Sequence, residues 1–141
     1  MGRYSLSVAF GAALLLAGLA APARANMVVL ECVFGTSADQ PHMHHLLEID
    51  YAANTVRSHY VDDDGAPYTL NGHGMGDSTN PAQITDNTIA WTEPVVRGNA
   101  YEKLGRYSGE LTTAVVDDDG RRMNFGQTCH PWTPPQRQRQ F

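Results

Sequence analysis

Between Ala82 and Val116 the chain alternates short β-rich runs with residues that favour reversals. Asp86-Asn87 separates two such runs, 82–85 and 88–91, and both residues tolerate the positive φ that a two-residue hairpin loop needs. Ser108-Gly109 marks a further reversal before the run that ends at Val116. Three or four antiparallel strands in about 35 residues predict an all-β centre for the molecule.

The rest of the chain has the same character. β-rich runs occupy Val28–Phe34, His44–Asp50, Val56–Val61 and Arg122–Cys129. No ten-residue segment shows the period of an amphipathic helix. We therefore predict about seven or eight short strands in a small antiparallel meander, closed as a barrel or a sandwich.

Alternation and turn chemistry also predict the register and the core. A loop at Asp86-Asn87 places Ile84 opposite Ile89, and a loop centred on Ala53-Asn54 places Glu48 opposite His59. The residues predicted to face inward are all large and apolar: Leu47, Ile49, Ile84, Ile89, Trp91, Leu104, Leu111 and Val115.

Other segments lack hydrophobic alternation. We expect an exposed loop at Pro67–Pro81, an irregular connection at Glu93–Asn99 and a flexible C-terminal tail at residues 131–141. The pentapeptide Val-Asp-Asp-Asp-Gly occurs at 61–65 and again at 116–120. Both copies fail the pattern of a twelve-residue EF-hand calcium loop at its first and at its twelfth position, so we interpret the repeat as one turn used twice.

The N-terminus has the organisation of a secretory signal peptide. Arg3 precedes an apolar run from Val8 to Ala20, and Ala23-Arg24-Ala25 forms an A-x-A cleavage site. We expect residues 1–25 to be removed, which leaves a single β domain at 26–130 that begins at Asn26. The expected location is the periplasm or the outside of the cell, with no membrane anchor after cleavage.

The charge balance excludes some partners. Ten basic and fifteen acidic residues give a net charge of −5, and removal of Arg3 and Arg24 with the signal peptide changes it to 8 − 15 = −7. Binding to nucleic acid needs a basic face that neutralises phosphates, so an acidic chain of this kind is not expected to bind it.

The chain has two cysteines, Cys32 and Cys129. In an oxidising compartment such a pair predicts a disulfide, and closing a loop of ~100 residues is worth roughly 4–5 kcal/mol in the chain-entropy treatment. A thiol metal or redox site is disfavoured because neither cysteine belongs to a C-x-x-C pair.

The order of these patterns resembles that of small secreted proteobacterial β-rich proteins of unknown function. The resemblance rests on a strand-ending Ile49-Asp50, the Ile84-Thr85 and Ile89-x-Trp91 hairpin, and the run Arg106-Tyr-Ser-Gly-Glu-Leu111. It implies a fold and a compartment, and it implies no catalytic residue.

Histidines are the obvious candidate metal ligands. His42 precedes a predicted strand that begins with His44 and His45, and His59 and His73 follow on later segments. Imidazoles with Glu48 suit zinc, and imidazoles with a thioether such as that of Met75 suit copper. The alternative is a solvated polar surface. A strand from His42 to Glu48 spans ~20 Å, too far for one ion, so we expect no site tighter than micromolar.

The leading hypothesis is a non-catalytic secreted or periplasmic binding module, which binds a small ligand or, like periplasmic lysozyme inhibitors that it resembles in outline, a protein. A periplasmic metal-binding protein is the alternative. A small hydrolase is the third, disfavoured because the chain has no G-x-S-x-G elbow, P-loop or dinucleotide fingerprint. Arg106 beside Ser108-Gly109 is open to interpretation as an anion-binding residue or as a packing residue.

Overall fold

Eight long antiparallel strands form a closed barrel in the computed structural model of this protein, which describes residues 26–35 and 42–134. The strands are β1 (Met27–Val33), β2 (His44–Asp50), β3 (Thr55–Val61), β6 (Ser78–Ile84), β7 (Thr88–Val95), β8 (Gly98–Gly105), β9 (Glu110–Val116) and β10 (Arg122–Pro131). A separate two-stranded hairpin consists of β4 (Thr69–Leu70) and β5 (His73–Gly74). The prediction of an all-β meander is confirmed, and between the two closures that the sequence left open the structure is the barrel.

The barrel closes where its first strand meets its last. β1 pairs with β10 in a register that sets Cys32 directly opposite Cys129. The two residues form a disulfide inside the barrel, where both are buried. The predicted bond therefore lies at the seam that turns a sheet into a barrel and leaves no unpaired edge there.

The central hairpin has the predicted register, with Ile84 opposite Ile89. The prediction for the first hairpin is wrong by two residues: Leu46 lies opposite His59, and Glu48 lies opposite Arg57. The reason is that the loop spans residues 51–54 and is centred on Ala52-Ala53, one residue earlier than predicted. The Asp50 Oδ1 atom accepts hydrogen bonds from the amides of residues 52 and 53 at 2.9 Å, and residue 54 takes a positive φ of 52°.

Two segments expected to be irregular belong largely to strands. β6 begins at Ser78, inside the segment expected to be a loop, and β7 and β8 continue to a two-residue turn at Val96-Arg97. The predictions are wrong for residues 78–81 and for most of 93–99, for the same reason, whereas residues 67–77 are largely exposed as predicted, apart from the short β4–β5 hairpin. The inward positions of β6 and β7 include Ser78, Asn80 and Glu93, so the polar lumen of the barrel removes the hydrophobic alternation that marks a strand.

The two Asp-Asp-Asp-Gly segments form the same turn. In the first, the amides of residues 64 and 66 donate to the Asp62 carboxylate at 2.9 Å; in the second, residues 119 and 121 donate to Asp117 at 3.0 and 2.8 Å. Gly65 and Gly120 have φ values of 79° and 78°, which favour glycine. The interpretation of one turn used twice is confirmed.

Most of the predicted core is buried. Leu47, Ile49, Ile89, Trp91, Leu104 and Leu111 form one cluster with the disulfide. Ile84 and Val115 are only partly buried. Val115 lies near the C-terminal end of β9, beside Met123, which is 58 % exposed.

The predicted signal peptide, residues 1–25, lies outside the described residues. The last strand extends two residues beyond Cys129, and the Trp132 amide donates to Val29 O at 3.0 Å, so the chain stays attached to the barrel to this point. Residues 135–141 of the predicted tail lie outside the described part. No helix within 26–35 and 42–134 is long and apolar enough to cross a bilayer.

Candidate functional site

The barrel interior has two chemically different halves. The turns at 51–54, 85–87 and 106–109 lie at one end, and there the inward residues are apolar, among them Leu30, Ile49 and Leu104. Toward the other end they become polar. We call this second half the polar layer; its members are His45, Ser58, Tyr60, Ser78, Asn80, Glu93, Glu102, Thr113 and Gln127.

The apolar end opens into a cavity of about 420 Å³, which we call the apolar mouth. Its walls include Leu30, Ile49, Ile89 and Leu104, and the 105–109 turn lies along its rim. A volume of this size falls within the usual range of small-molecule sites, ≈ 300–1,000 Å³. The apolar mouth can therefore take an apolar body of modest size.

Arg106 carries the one permanent charge among the described residues that line the apolar mouth. These residues include no carboxylate and no other arginine or lysine. Its Nη1 atom donates to Thr85 O at 2.7 Å, and its Cζ atom lies 5.3 Å from the centre of the Tyr51 ring. No carboxylate of the described residues lies within salt-bridge distance of it. Arg106 is thus held in place by backbone and ring, and its charge is left unmatched within the described chain.

His45 is central to the polar layer. Its Nδ1 atom lies 3.2 Å from Gln127 Oε1, its Nε2 atom lies 3.0 Å from Ser58 Oγ, and its ring stacks on Tyr60 with centroids 4.7 Å apart. Burial lowers the pKa of His45 to about 4, and burial also raises the pKa of Tyr60. Both groups are therefore neutral near pH 7, and the polar layer is held together by hydrogen bonds.

Two carboxylates share the same lumen. Glu93 accepts a hydrogen bond from the Ser78 hydroxyl at 2.5 Å, and Glu102 accepts one from the Thr113 hydroxyl at 2.6 Å. Burial raises the pKa of Glu102 to about 6, and the charge of Glu93 acts in the same direction. Trp91, opposite Glu102, has a buried Nε1 atom with no hydrogen-bond partner among the described residues.

The hydrogen-bonded series Ser58–His45–Gln127 has the order of a nucleophile, a base and an orienting group, which is the arrangement that the hydrolase hypothesis requires. Ser58 is 5 % exposed and faces Ser78 across the sheet, in regular strand and not on a strained turn. A His pKa of about 4 also makes a weak base at neutral pH. These residues fit a buried hydrogen-bond network better than an activated serine.

The five predicted metal ligands are dispersed. His42 and His44 both contact Asp63, at 2.7 and 2.9 Å, and His44 also contacts Glu31 at 2.5 Å. Burial lowers the pKa of His44, but its hydrogen bonds with Glu31 and Asp63 outweigh this, so the net shift is upward. His42, His44, Glu31 and Asp63 therefore form a hydrogen-bonded cluster on the outside of the barrel.

The other candidate ligands lie elsewhere. His45 is inside the barrel, His59 is on the outer face beside Glu48, and His73 is in the small β4–β5 hairpin. Within residues 26–35 and 42–134, no group of three or more His, Cys, Asp or Glu side chains has the geometry to hold a metal ion. The structure thus brings together His42 with His44 and His59 with Glu48, and it separates these pairs from His45 and His73.

Sequence reasoning found Arg106 but left its role open, and it missed the polar layer. Inward polar residues alternate with outward ones just as surface residues do, so a strand such as Ser78-x-Asn80 looks like a solvated loop. The available signal is the matching alternation Ser58-x-Tyr60 on the neighbouring strand. A barrel places both pairs in one lumen, and a sequence does not show which face is inside.

Comparisons with protein-family models, with curated proteins and with solved structures found no match to this chain. The geometry of the apolar mouth and the polar layer is therefore the basis for a functional assignment.

Proposed function

We propose that this protein is a secreted or periplasmic binding module that holds a small ligand in the apolar mouth of its barrel. The observation that supports it is the cavity itself, about 420 Å³ and walled by inward-facing apolar side chains. The disulfide fits an oxidising compartment. In small barrels the lumen is filled by side chains or holds one small ligand, and here the side chains leave a cavity at one end of the lumen.

The lining points to an amphipathic anion as the ligand. An apolar body would cover Leu30, Ile49 and Leu104, which removes apolar surface from water at roughly 25 cal/mol per Å². A carboxylate at the rim would meet the Arg106 guanidinium, whose planar fork suits that group. Arg106 is already oriented by Thr85 O, so little ordering remains to be done on binding.

Binding of decanoate, compared with decanol, tests this proposal by isothermal titration calorimetry. We expect decanoate to bind saturably and decanol to bind more weakly. Arg106→Gln should weaken decanoate binding by about tenfold or more, because a charged hydrogen bond is worth ≈ 1.5–3 kcal/mol. Arg97→Gln is the matched control, since Arg97 has the same charge and lies at the opposite end of the barrel.

Equal affinity for the acid and the alcohol would contradict the role of Arg106. Absence of binding by both would contradict the apolar mouth as a ligand site. We do not propose the inhibitor-like version of the hypothesis, in which an exposed loop inserts into a partner protein. The supporting observation is a cavity, which receives a ligand, and not a protruding loop.

A further inference from the structure

A second concave surface lies on the outside of the barrel, across β1, β2 and β3. We call it the outer groove; it has a volume of about 540 Å³, and its lining includes Leu46, Glu48, His59, Val61, Asp63 and Trp132. The strands bring these residues together, since Leu46 lies opposite His59 and His44 lies opposite Val61. Outward positions of a barrel are usually solvated, but Leu46 and Val61 are each only 5 % exposed.

Trp132 lies at the margin of the outer groove. Its amide donates to Val29 O at 3.0 Å, which attaches the residue to β1, and its ring centre lies 4.8 Å from that of His44. The outer groove therefore has an aromatic face as well as the aliphatic side chains of Leu46 and Val61. An aromatic face of this kind accepts apolar groups and cations alike.

Two polar side chains of the outer groove, His59 and Glu48, are incompletely hydrogen-bonded within the described chain. His59 is 9 % exposed, and its Nε2 atom is buried without a hydrogen-bond partner there. That atom lies 3.0 Å from Glu48 Oε1, within ion-pair distance, but the pair lacks hydrogen-bond direction. A contact that lacks hydrogen-bond direction satisfies neither group.

Glu48 has little else to bind. Its two contacts with Arg57 Nη1 are both 3.4 Å, whereas the Nε and Nη2 atoms of Arg57 bind Asp77 at 2.9 and 2.7 Å. Arg57 is therefore engaged mainly by Asp77. With its proton on Nδ1, His59 presents Nε2 as an acceptor beside the Glu48 carboxylate, and one strong donor would satisfy both groups.

The charge of the lining selects the kind of donor. Glu48, Asp63 and Asp64 are acidic, and no lysine or arginine is among the described residues of the outer groove. We propose that the outer groove binds a small organic amine, with its ammonium group against the Glu48 carboxylate and the neighbouring His59 imidazole and its apolar body against Trp132. The volume is in the range of a small-molecule site. The lining is acidic, whereas the charged residue of the apolar mouth is a cation.

Phenethylamine and phenethyl alcohol, which differ in the charged group, are suitable probes for calorimetric titration of the secreted protein. We expect saturable binding of the amine and at least about tenfold weaker binding of the alcohol. Glu48→Gln should weaken amine binding about tenfold or more. Asp86→Asn is the matched control, because Asp86 is an exposed acid in a turn at one end of the barrel.

Two further arms keep the result decisive. Trp132→Leu should also weaken amine binding, which provides a second test if Glu48→Gln does not fold, as judged by circular dichroism. The titration is repeated in a variant with Arg137→Gln and Arg139→Gln, which removes as competing cations the two arginines that follow Pro134 in the sequence; Pro134 is part of the lining.

Amine binding in either background that is lost with Glu48→Gln supports the proposal. No binding in both backgrounds, equal binding of the alcohol, equal effects of Glu48→Gln and Asp86→Asn, or tighter binding of an arginine tripeptide than of the amine would overturn it. Binding of decanoate, which depends on Arg106 at the apolar mouth, is a separate measurement, so the two proposals fail independently.

Discussion

Loss of the Cys32–Cys129 disulfide should destabilise the barrel strongly. The bonded residues are separated by 97 positions in the sequence, and the chain-entropy treatment assigns a loop of about this length about 4.7 kcal/mol. For a domain of about 100 residues, 1 kcal/mol moves the thermal midpoint by ~4–8 °C. Even half of the entropic value therefore lowers the midpoint by about 10 °C, and we expect a decrease larger than this.

The assay is thermal unfolding followed by circular dichroism, with oxidised protein compared with protein reduced in denaturant and refolded with a phosphine reductant. Reduction in denaturant is needed because Cys32 and Cys129 are 2 % and 7 % exposed. A Cys32→Ala/Cys129→Ala variant, which has no thiol to reduce, controls for effects of the reductant itself. Two free thiols in unfolded, unreduced protein, or a decrease of only a few degrees, would refute the reasoning.

Three other predictions follow from the core, the polar layer and the histidines. Ile89→Ala should cost ~2–5 kcal/mol in urea unfolding, because Ile89 is 1 % exposed; the exposed Thr92→Ala on the same strand is the control, and a loss under about half a kcal/mol would mean that the strand face is wrong. Glu102 has a pKa of about 6 when folded and 4.5 ordinarily, so between these values the folded state binds more protons and stability falls as pH rises. Glu102→Gln should therefore stabilise the protein more at pH 7.5 than at pH 4, measured by thermal unfolding, and the exposed Glu110→Gln should show no such difference. Calorimetry with Zn²⁺ and Cu²⁺ should show no binding tighter than micromolar, and nanomolar binding abolished by His59→Ala would reverse this conclusion.

The candidate sites were less accessible to sequence reasoning than the fold. Arg106 was recognisable as a cation beside a Ser-Gly turn, but its position at the rim of a cavity depends on how the strands close. Glu48 and His59 were expected to lie directly opposite each other. The loop after Asp50 shifts the register by two residues, and the two side chains meet diagonally instead.

The sequence by itself determined the features that depend on local chemistry. Asp-Asn and Asp-Asp-Asp-Gly specify turns, as the Ile84–Ile89 register and the twin carboxylate-capped turns show. Alternating apolar residues determined most of the core, because burial of one strand face needs only a period of two.

Only the tertiary structure decided which polar residues are inside. Ser78, Asn80 and Glu93 have the pattern of surface residues, and they become interior groups because β1 pairs with β10 and encloses them. Closure likewise decided that one end of the lumen remains open beside Arg106 and that an outer face collects Glu48, His59 and Trp132. The physical reason is that such sites join residues far apart in the chain, and no local preference encodes their distance.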